Sequence, residues 1–416
     1  MSDAGADRSF IRSLIAISVV GGLWRLCYLF VAKWGDDLLL NDSLYFSLQA
    51  ALNSEGQWFR EGLDGHPGAE HGPLTSLYLT PWSLGSWDHS HQRLGITVVG
   101  LAVVPLIGLL GRRFGGDQVG LVAAAIAAVY PNLWLNDSLV MSETIAIVVV
   151  TIAILVGLRF EERPTRTDAA LLGVLVGLAA LTRSELALLA PLFAGVVWWR
   201  STLRGRSRLA LPAIVLATSL VTVSPWILYN LSRFEEPVLM STNDGTTLLG
   251  ANCDITYYDQ VGGWNIECLA PVPQEAFPDA SERSAARREV ALSYVRHHLD
   301  RVPVVVAARL GRTLDVYGLT HLVRMDVGEE KAEWAVWTGI VMFWVLTIAA
   351  VVGWLDRRRR QVAARWWLAV PIVAVLVTTV AIYGFHRLRA PAEPAIVVLA
   401  AVGVVAVAGR LRNSPP

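Results

Sequence analysis

Phe10 to Val31 is an apolar run long enough to cross a bilayer, and comparable runs recur along the chain. Of 416 residues, 54% are hydrophobic. A soluble chain does not repeatedly produce apolar runs of roughly 18 residues or more. Spans are expected over residues 12–32, 92–111, 118–134, 139–158, 168–182, 184–199, 209–230, 333–354, 366–384 and 392–409. The expected fold is therefore an all-α polytopic integral membrane protein of about ten transmembrane helices. Residues 1–332 form its N-terminal membrane module, and residues 333–416 a C-terminal three-helix segment.

The loops orient these spans. Arg112 and Arg113, Arg159, Arg163 and Arg166, Arg200, Arg204, Arg206 and Arg208, Arg357 to Arg360 with Arg365, and Arg410 with Arg412 all fall on one side. The positive-inside rule makes that side the cytoplasm, with both termini there. Loops 33–91 and 231–332 then face outward. The balance of 35 basic and 35 acidic residues hides this asymmetry. The first run is too long for a signal peptide and lacks a small-residue cleavage site, so a retained span in the cell membrane is expected. Abundant Ala, Val, Arg and Trp with few Lys point to a GC-rich bacterial genome.

Cysteine usage agrees. Cys27 lies in the first span as an apolar filler. Cys253 and Cys268 share the long outer loop, with Gly262-Gly263 between them, and read as a disulfide hairpin in an oxidising compartment.

Unusual polar residues cluster at the outer ends of spans, whereas transporters place them near mid-span. Asp42 follows the first span and opens a helical stretch with Tyr45 and Gln49 on one face. An N-cap role is the plainer reading of Asp42. Glu70-His71 precedes Pro73, and the apolar stretch Leu74 to Trp87 reads as an interfacial helix within the first outer loop. These two residues suit a phosphate, a metal or only solvent. Glu143 lies a turn inside the fourth span, so it faces protein or water. Arg183 and Glu185 interrupt a long apolar stretch, either as a mutual ion pair or as an anion site. His386, Arg387 and Arg389 stand on an outer turn where positive charge is disfavoured. A bound anion explains them, as does snorkelling to headgroups.

In order, these motifs resemble the GT-C class of polyprenyl-phosphate-dependent glycosyltransferases, in the branch of protein O-mannosyltransferases and lipid A aminoarabinose transferases. The resemblance rests on Asp42 with Tyr45, Gly72-Pro73-Leu74, Arg93-Leu94, Arg112 to Gly115, and Ser142-Glu143. It continues through Leu181 to Glu185, Pro225 to Asn230, and Arg387 to Pro391 with Pro394. It covers most of the chain. Ser43 stands where the family often has glutamate, Gly72 where it has proline, His71 where it has a basic residue, and Leu388 where it has tyrosine. No large soluble outer domain is expected.

The resemblance implies an inverting glycosyltransferase at the extracytoplasmic face. Its donor would be a sugar on a polyprenyl phosphate, and its acceptor a hydroxyl of a glycan, lipid or protein. No nucleotide-type Gly-rich loop occurs, as such a donor requires none. Asp42 would be the catalytic base. Arg387 first, then Arg183, Arg389 and His71, would hold the donor phosphate. Tyr45, Glu70, Glu143 and Glu185 would line the substrate site, and a divalent metal is an open question. Two rivals stand beside this reading. One is a transporter or flippase of lipid-linked sugars, which Arg25 at mid-span favours. The other is a non-catalytic envelope scaffold.

Overall fold

The computed structural model describes residues 2–39, 42–62, 65–85, 87–200 and 207–413. Leu40 and Asn41 ahead of Asp42, and Arg204 and Arg206 of the basic loop, lie outside the described residues. Among the described residues there is no strand beyond an isolated bridge, Arg60 to Pro67.

The helices run in chain order as α1 (Ser2–Tyr28), α2 (Asp42–Ser54), α3 (Pro73–Leu79), α4 (His89–Gly100), α5 (Val103–Gly115), α6 (Asp117–Val129), α7 (Pro131–Trp134), α8 (Glu143–Glu162) and α9 (Arg166–Thr182). Then follow α10 (Leu189–Arg200), α11 (Ser207–Leu231), α12 (Asn243–Gly250), α13 (Ala280–His297), α14 (Val302–Thr313), α15 (Leu319–Gly328), α16 (Glu333–Arg359), α17 (Arg365–Ala381) and α18 (Glu393–Asn413).

Among the described residues, six helical segments are long and apolar enough to cross a bilayer, and the α6–α7 pair makes up to seven. That pair bends by 65° at Tyr130, where Pro131 removes a helical hydrogen bond and disfavours α geometry in the residue before it. The other three runs expected to span are helices α9, α10 and α17, of 17, 12 and 17 residues. At 1.5 Å per residue they fall short of a full hydrocarbon core. The expected ten spans thus resolve into six long helices, one bent pair and three shorter ones.

One apolar core joins the two ends of the sequence, from Phe10 and Leu14 through Ala123, Ile147 and Phe193 to Leu399 and Val402. Trp367 is fully buried within it, against the rings of Phe160 and Phe193. Arg25 is buried as well. Its Nε donates to Asp137 Oδ2 at 2.6 Å, and its other nitrogens reach the carbonyls of Gly21 and Ala127. A buried charge persists when it is paired and hydrogen-bonded, and Arg25 is both.

The first loop carries α2 and α3, and α3 continues as a 3-10 turn to Ser83. The interfacial helix read over Leu74 to Trp87 is therefore shorter than expected. The long loop folds into α12 to α15, with Cys253 and Cys268 joined as a disulfide. Arg112, Arg159, Arg200, Arg358 and Arg410 lie in the last turns of α5, α8, α10, α16 and α18, which makes one end of the bundle arginine-rich.

Candidate active site

At the other end, six segments converge. α2 begins on Asp42, where an acidic side chain suits the positive end of the helix dipole. The loop ahead of α3 carries His71. Glu143 opens α8, and Arg183 follows α9. Arg387 lies in the 3-10 turn His386–Ala392 that leads into α18. Glu329 follows the end of α15. Gly72 lets the His71 loop press onto α9, because a Cβ there would collide with the Leu181 carbonyl. This is a structural reason for glycine where the resembling family has proline.

Arg387 is the hub. Its Nη2 lies 2.7 Å from Asp42 Oδ2, its Nη1 donates to Glu329 Oε1 at 2.7 Å, and its Nε donates to Glu143 Oε1. Arg183 donates to the same Glu143 oxygen and, from Nε, to Glu185 Oε1 at 2.6 Å. The Arg183–Glu185 pair read as one alternative from sequence is therefore present, and it also reaches Glu143. On the far side of Asp42, His71 Nε2 stands 3.3 Å from Oδ1, with its ring against Phe46 and Tyr45. The Tyr45 hydroxyl accepts from Gln49 Nε2 at 2.7 Å and from the Glu70 backbone N–H at 3.1 Å.

Burial works to raise the Asp42 carboxyl, but Arg387 and then His71 overcome it and hold it well below the usual range. His71 moves the other way. Burial disfavours its charged form, yet the Asp42 charge beside it outweighs this and raises the imidazole. Glu70 is raised by burial, against the partial relief of the His71 charge.

Sequence reasoning missed the segment 326–331. Besides Glu329 on Arg387, Lys331 Nζ donates to Asp326 Oδ1 at 2.8 Å and lies 3.5 Å from Glu329. Glu330 is buried, with a left-handed backbone at φ 68°. Its carboxylate accepts from Arg93 Nη2 at 2.7 Å, from the Leu39 N–H at 3.2 Å and from Ser43 Oγ. Leu39 and Ser43 flank Asp42, so one dipeptide grips both the central arginine and the start of α2. A strained residue held by several partners is a common mark of a functional site. Only the density of charge in Asp326 to Lys331 hinted at this in the sequence, and such runs usually belong to solvated loops.

Arg389 is not brought to this cluster. It is buried on the other side of the turn, with Nη2 2.9 Å from Asp315, Nε 2.6 Å from Glu393 and Nη1 donating to the Thr313 carbonyl. Between the two arginines, His386 places Nδ1 and Nε2 each 2.6 Å from a carboxylate, of Asp315 and Asp326. With an acceptor on each nitrogen, the ring is an imidazolium. Beside Arg387 a small cavity of about 30 Å³, lined by Asn132, Lys331, His386 and Glu393 among others, has room for a water molecule and little more.

Among the described residues, no three His, Cys, Asp or Glu side chains are grouped to hold a metal ion. Both Asp42 oxygens already face cationic partners. This donor set does not fit a divalent cation.

The described residues form a polytopic helical bundle with long-loop helices and a carboxylate–arginine cluster at one end. Residues 84–229 match the family described as dolichyl-phosphate-mannose-protein mannosyltransferase. The archaeal oligosaccharyltransferase AglB from Archaeoglobus fulgidus, in complex with an inhibitory peptide and a dolichol-phosphate, superposes at a TM-score of 0.59 with 13% identity. That match covers 97% of this chain and 51% of AglB. The apo form of the Archaeoglobus fulgidus oligosaccharyltransferase gives 0.58 and 15%, over 97% of this chain and 51% of that one. The chain thus spans about half the length of these structures, and at such identity the likeness is one of fold. ArnT from Cupriavidus metallidurans, bound to undecaprenyl phosphate, is more distant, at 0.45 and 15% over 95% of this chain and 78% of that one. It adds nothing to the fold assignment. No curated protein matches the sequence. The resemblance to the GT-C class read from the motifs is present in both the family match and the fold.

Proposed function

We propose that this protein is a polyprenyl-phosphate-sugar-dependent, inverting glycosyltransferase that works at the extracytoplasmic membrane face. The observation that carries the proposal is the Asp42–Arg387 contact. A proton acceptor and a phosphate-seeking guanidinium meet at the end of the bundle opposite the arginine-rich one. By the positive-inside rule that end is extracytoplasmic. The family match and the AglB-like fold support the same reaction class.

In this reading Asp42 takes the proton of the acceptor hydroxyl while its oxygen bonds to the anomeric carbon. The bond from that carbon to the phosphate oxygen breaks, and the polyprenyl phosphate leaves with the electron pair. Arg387, backed by Arg183, holds the growing phosphate charge. A single displacement inverts the anomeric centre. The Arg25–Asp137 pair explains by burial and pairing the mid-span charge that favoured a transporter.

The test is turnover with polyprenyl-phosphate sugars, mannose first in view of the family match. Asp42→Asn should fold normally and lose on the order of 10²–10⁴ in rate. Undiminished transfer in that variant would remove Asp42 from the mechanism, and no transfer by wild type across the series would favour the scaffold.

A further inference from the structure

Arg387 cannot accept a donor phosphate as it stands. A guanidinium binds phosphate best through two parallel N–H groups, taken from its Nε/Nη2 edge or its Nη1/Nη2 edge. Both edges include Nη2, and Nη2 holds Asp42. The other two nitrogens are held by Glu143 and Glu329. These three carboxylates differ in freedom. The side chains of Glu143 and Glu329 are 1% and 13% exposed, and that of Asp42 is 31% exposed. Glu143 is also tied to Arg183 and Glu329 to Lys331, whereas the other neighbour of Asp42 is His71 at 3.3 Å. Asp42 is the ligand that can leave.

We infer that the phosphate of a polyprenyl-phosphate lipid takes the place of the Asp42 carboxylate on Arg387, and that this exchange frees Asp42 to act as the base. The inference rests on the reading of the site as a glycosyltransferase centre. Glu143 and Glu329 act as positioning residues, keeping the guanidinium oriented while its third partner changes. Without donor, Asp42 is neutralised by Arg387 and its low proton affinity makes it a poor base. With donor, the arginine charge is taken by phosphate, and a second anion stands nearby. Of the influences on Asp42, His71 still favours its charged form, while burial and the arriving phosphate oppose it. Proton affinity rises only when a lipid phosphate occupies Arg387, so activation of the acceptor follows donor binding.

The exchange makes a prediction that ordinary loss of a site residue would not. Asp42→Asn removes the carboxylate that competes with phosphate. Farnesyl phosphate, titrated into the full-length protein in detergent, should bind Asp42→Asn about five- to tenfold more tightly than wild type. Equal or weaker binding by the folded variant overturns the exchange. In wild type, carbodiimide labelling of Asp42 near pH 5, mapped by peptide mass spectrometry, should increase several-fold on adding farnesyl phosphate. Farnesol should leave it unchanged. Binding without a change in labelling overturns the exchange and leaves the phosphate site standing. Absence of any binding overturns the exchange together with the donor reading. Inorganic phosphate at the same concentration should have no effect. If it matches farnesyl phosphate, the ligand is free phosphate and the lipid part of the inference falls.

Discussion

The two arginines of the His386–Ala392 turn share a sequence neighbourhood and not a role. Arg387 meets three carboxylates at the site, and Arg389 is locked between Asp315, Glu393 and a carbonyl, with its guanidinium over the Phe343 ring. Arg387→Lys keeps the charge and loses the fork, so binding of polyprenyl phosphate should fall at least tenfold with the melting temperature little changed. Arg389→Ala leaves two buried carboxylates unpaired and should cost about 3–5 kcal/mol of stability. A binding titration paired with thermal melts separates the two. Reversed effects would move the phosphate site to Arg389. A second residue-scale effect concerns His321, whose Nδ1 accepts from Arg312 Nη2 at 2.6 Å. Burial and then the Arg312 charge push its pKa down to about 4. The folded value lies below the ordinary 6.5, so the native state prefers the neutral ring. This stability is complete above about pH 6.5 and drains away as pH falls toward 4. His321→Gln should therefore lose less melting temperature than wild type between pH 7 and pH 4.5. Parallel curves would show that His321 contributes no such linkage.

Among the elements, the segment joining α15 to α16 does what a helix end alone could not. Glu329 and Glu330 point to different partners from adjacent positions, made possible by the left-handed backbone at Glu330. Arg93, fully buried in α4, has Nε and Nη1 without a partner and depends on Glu330 for its charge. Glu330→Ala should cost about 3–5 kcal/mol, because it strands that cation. Glu330→Gln should cost less, since an acceptor remains for the Leu39 N–H. Melting curves rank the two, and equal stability of alanine variant and wild type would remove the brace. None of this was legible beforehand. Asp42, His71, Glu143, Arg183, Glu185 and Arg387 stand out as polar residues at the ends of apolar runs, where charge needs a reason. Glu329, Glu330 and Lys331 lie in a charged loop like any other, and only tertiary contact distinguishes them. The shortness of α9 and α10 was already visible, because the break at Arg183 limits the expected spans to 168–182 and 184–199. The end of α17 at Ala381 was not, since apolar residues continue beyond it.

At the scale of the whole molecule, the two ends of the bundle have opposite electrostatic characters. One gathers arginines in the last turns of five helices, where they also complement the helix dipoles. At the other, the cations of the site cluster, Arg183, Lys331, Arg387 and Arg389, are each paired with carboxylates. The positive-inside rule weighs the Lys/Arg bias over all the short loops, so a single turn does not overturn the orientation set by the rest. The His386–Arg389 turn therefore does not contradict an extracytoplasmic site, although its sequence alone suggested a violation. The proposed topology can be measured. Cys27 is the free cysteine of the structure, so a Cys27→Ser background leaves no reactive thiol beside the disulfide. Leu299, 64% exposed in the turn between α13 and α14, lies on the long-loop side, and Leu411, 73% exposed near the end of α18, lies at the arginine-rich end. In intact cells, a membrane-impermeant maleimide should label Leu299→Cys fully and leave Leu411→Cys unlabelled until the membrane is permeabilised. The opposite pattern would place the Asp42–Arg387 centre in the cytoplasm, where nucleotide sugars are at hand, and would remove the main reason for a lipid-linked donor.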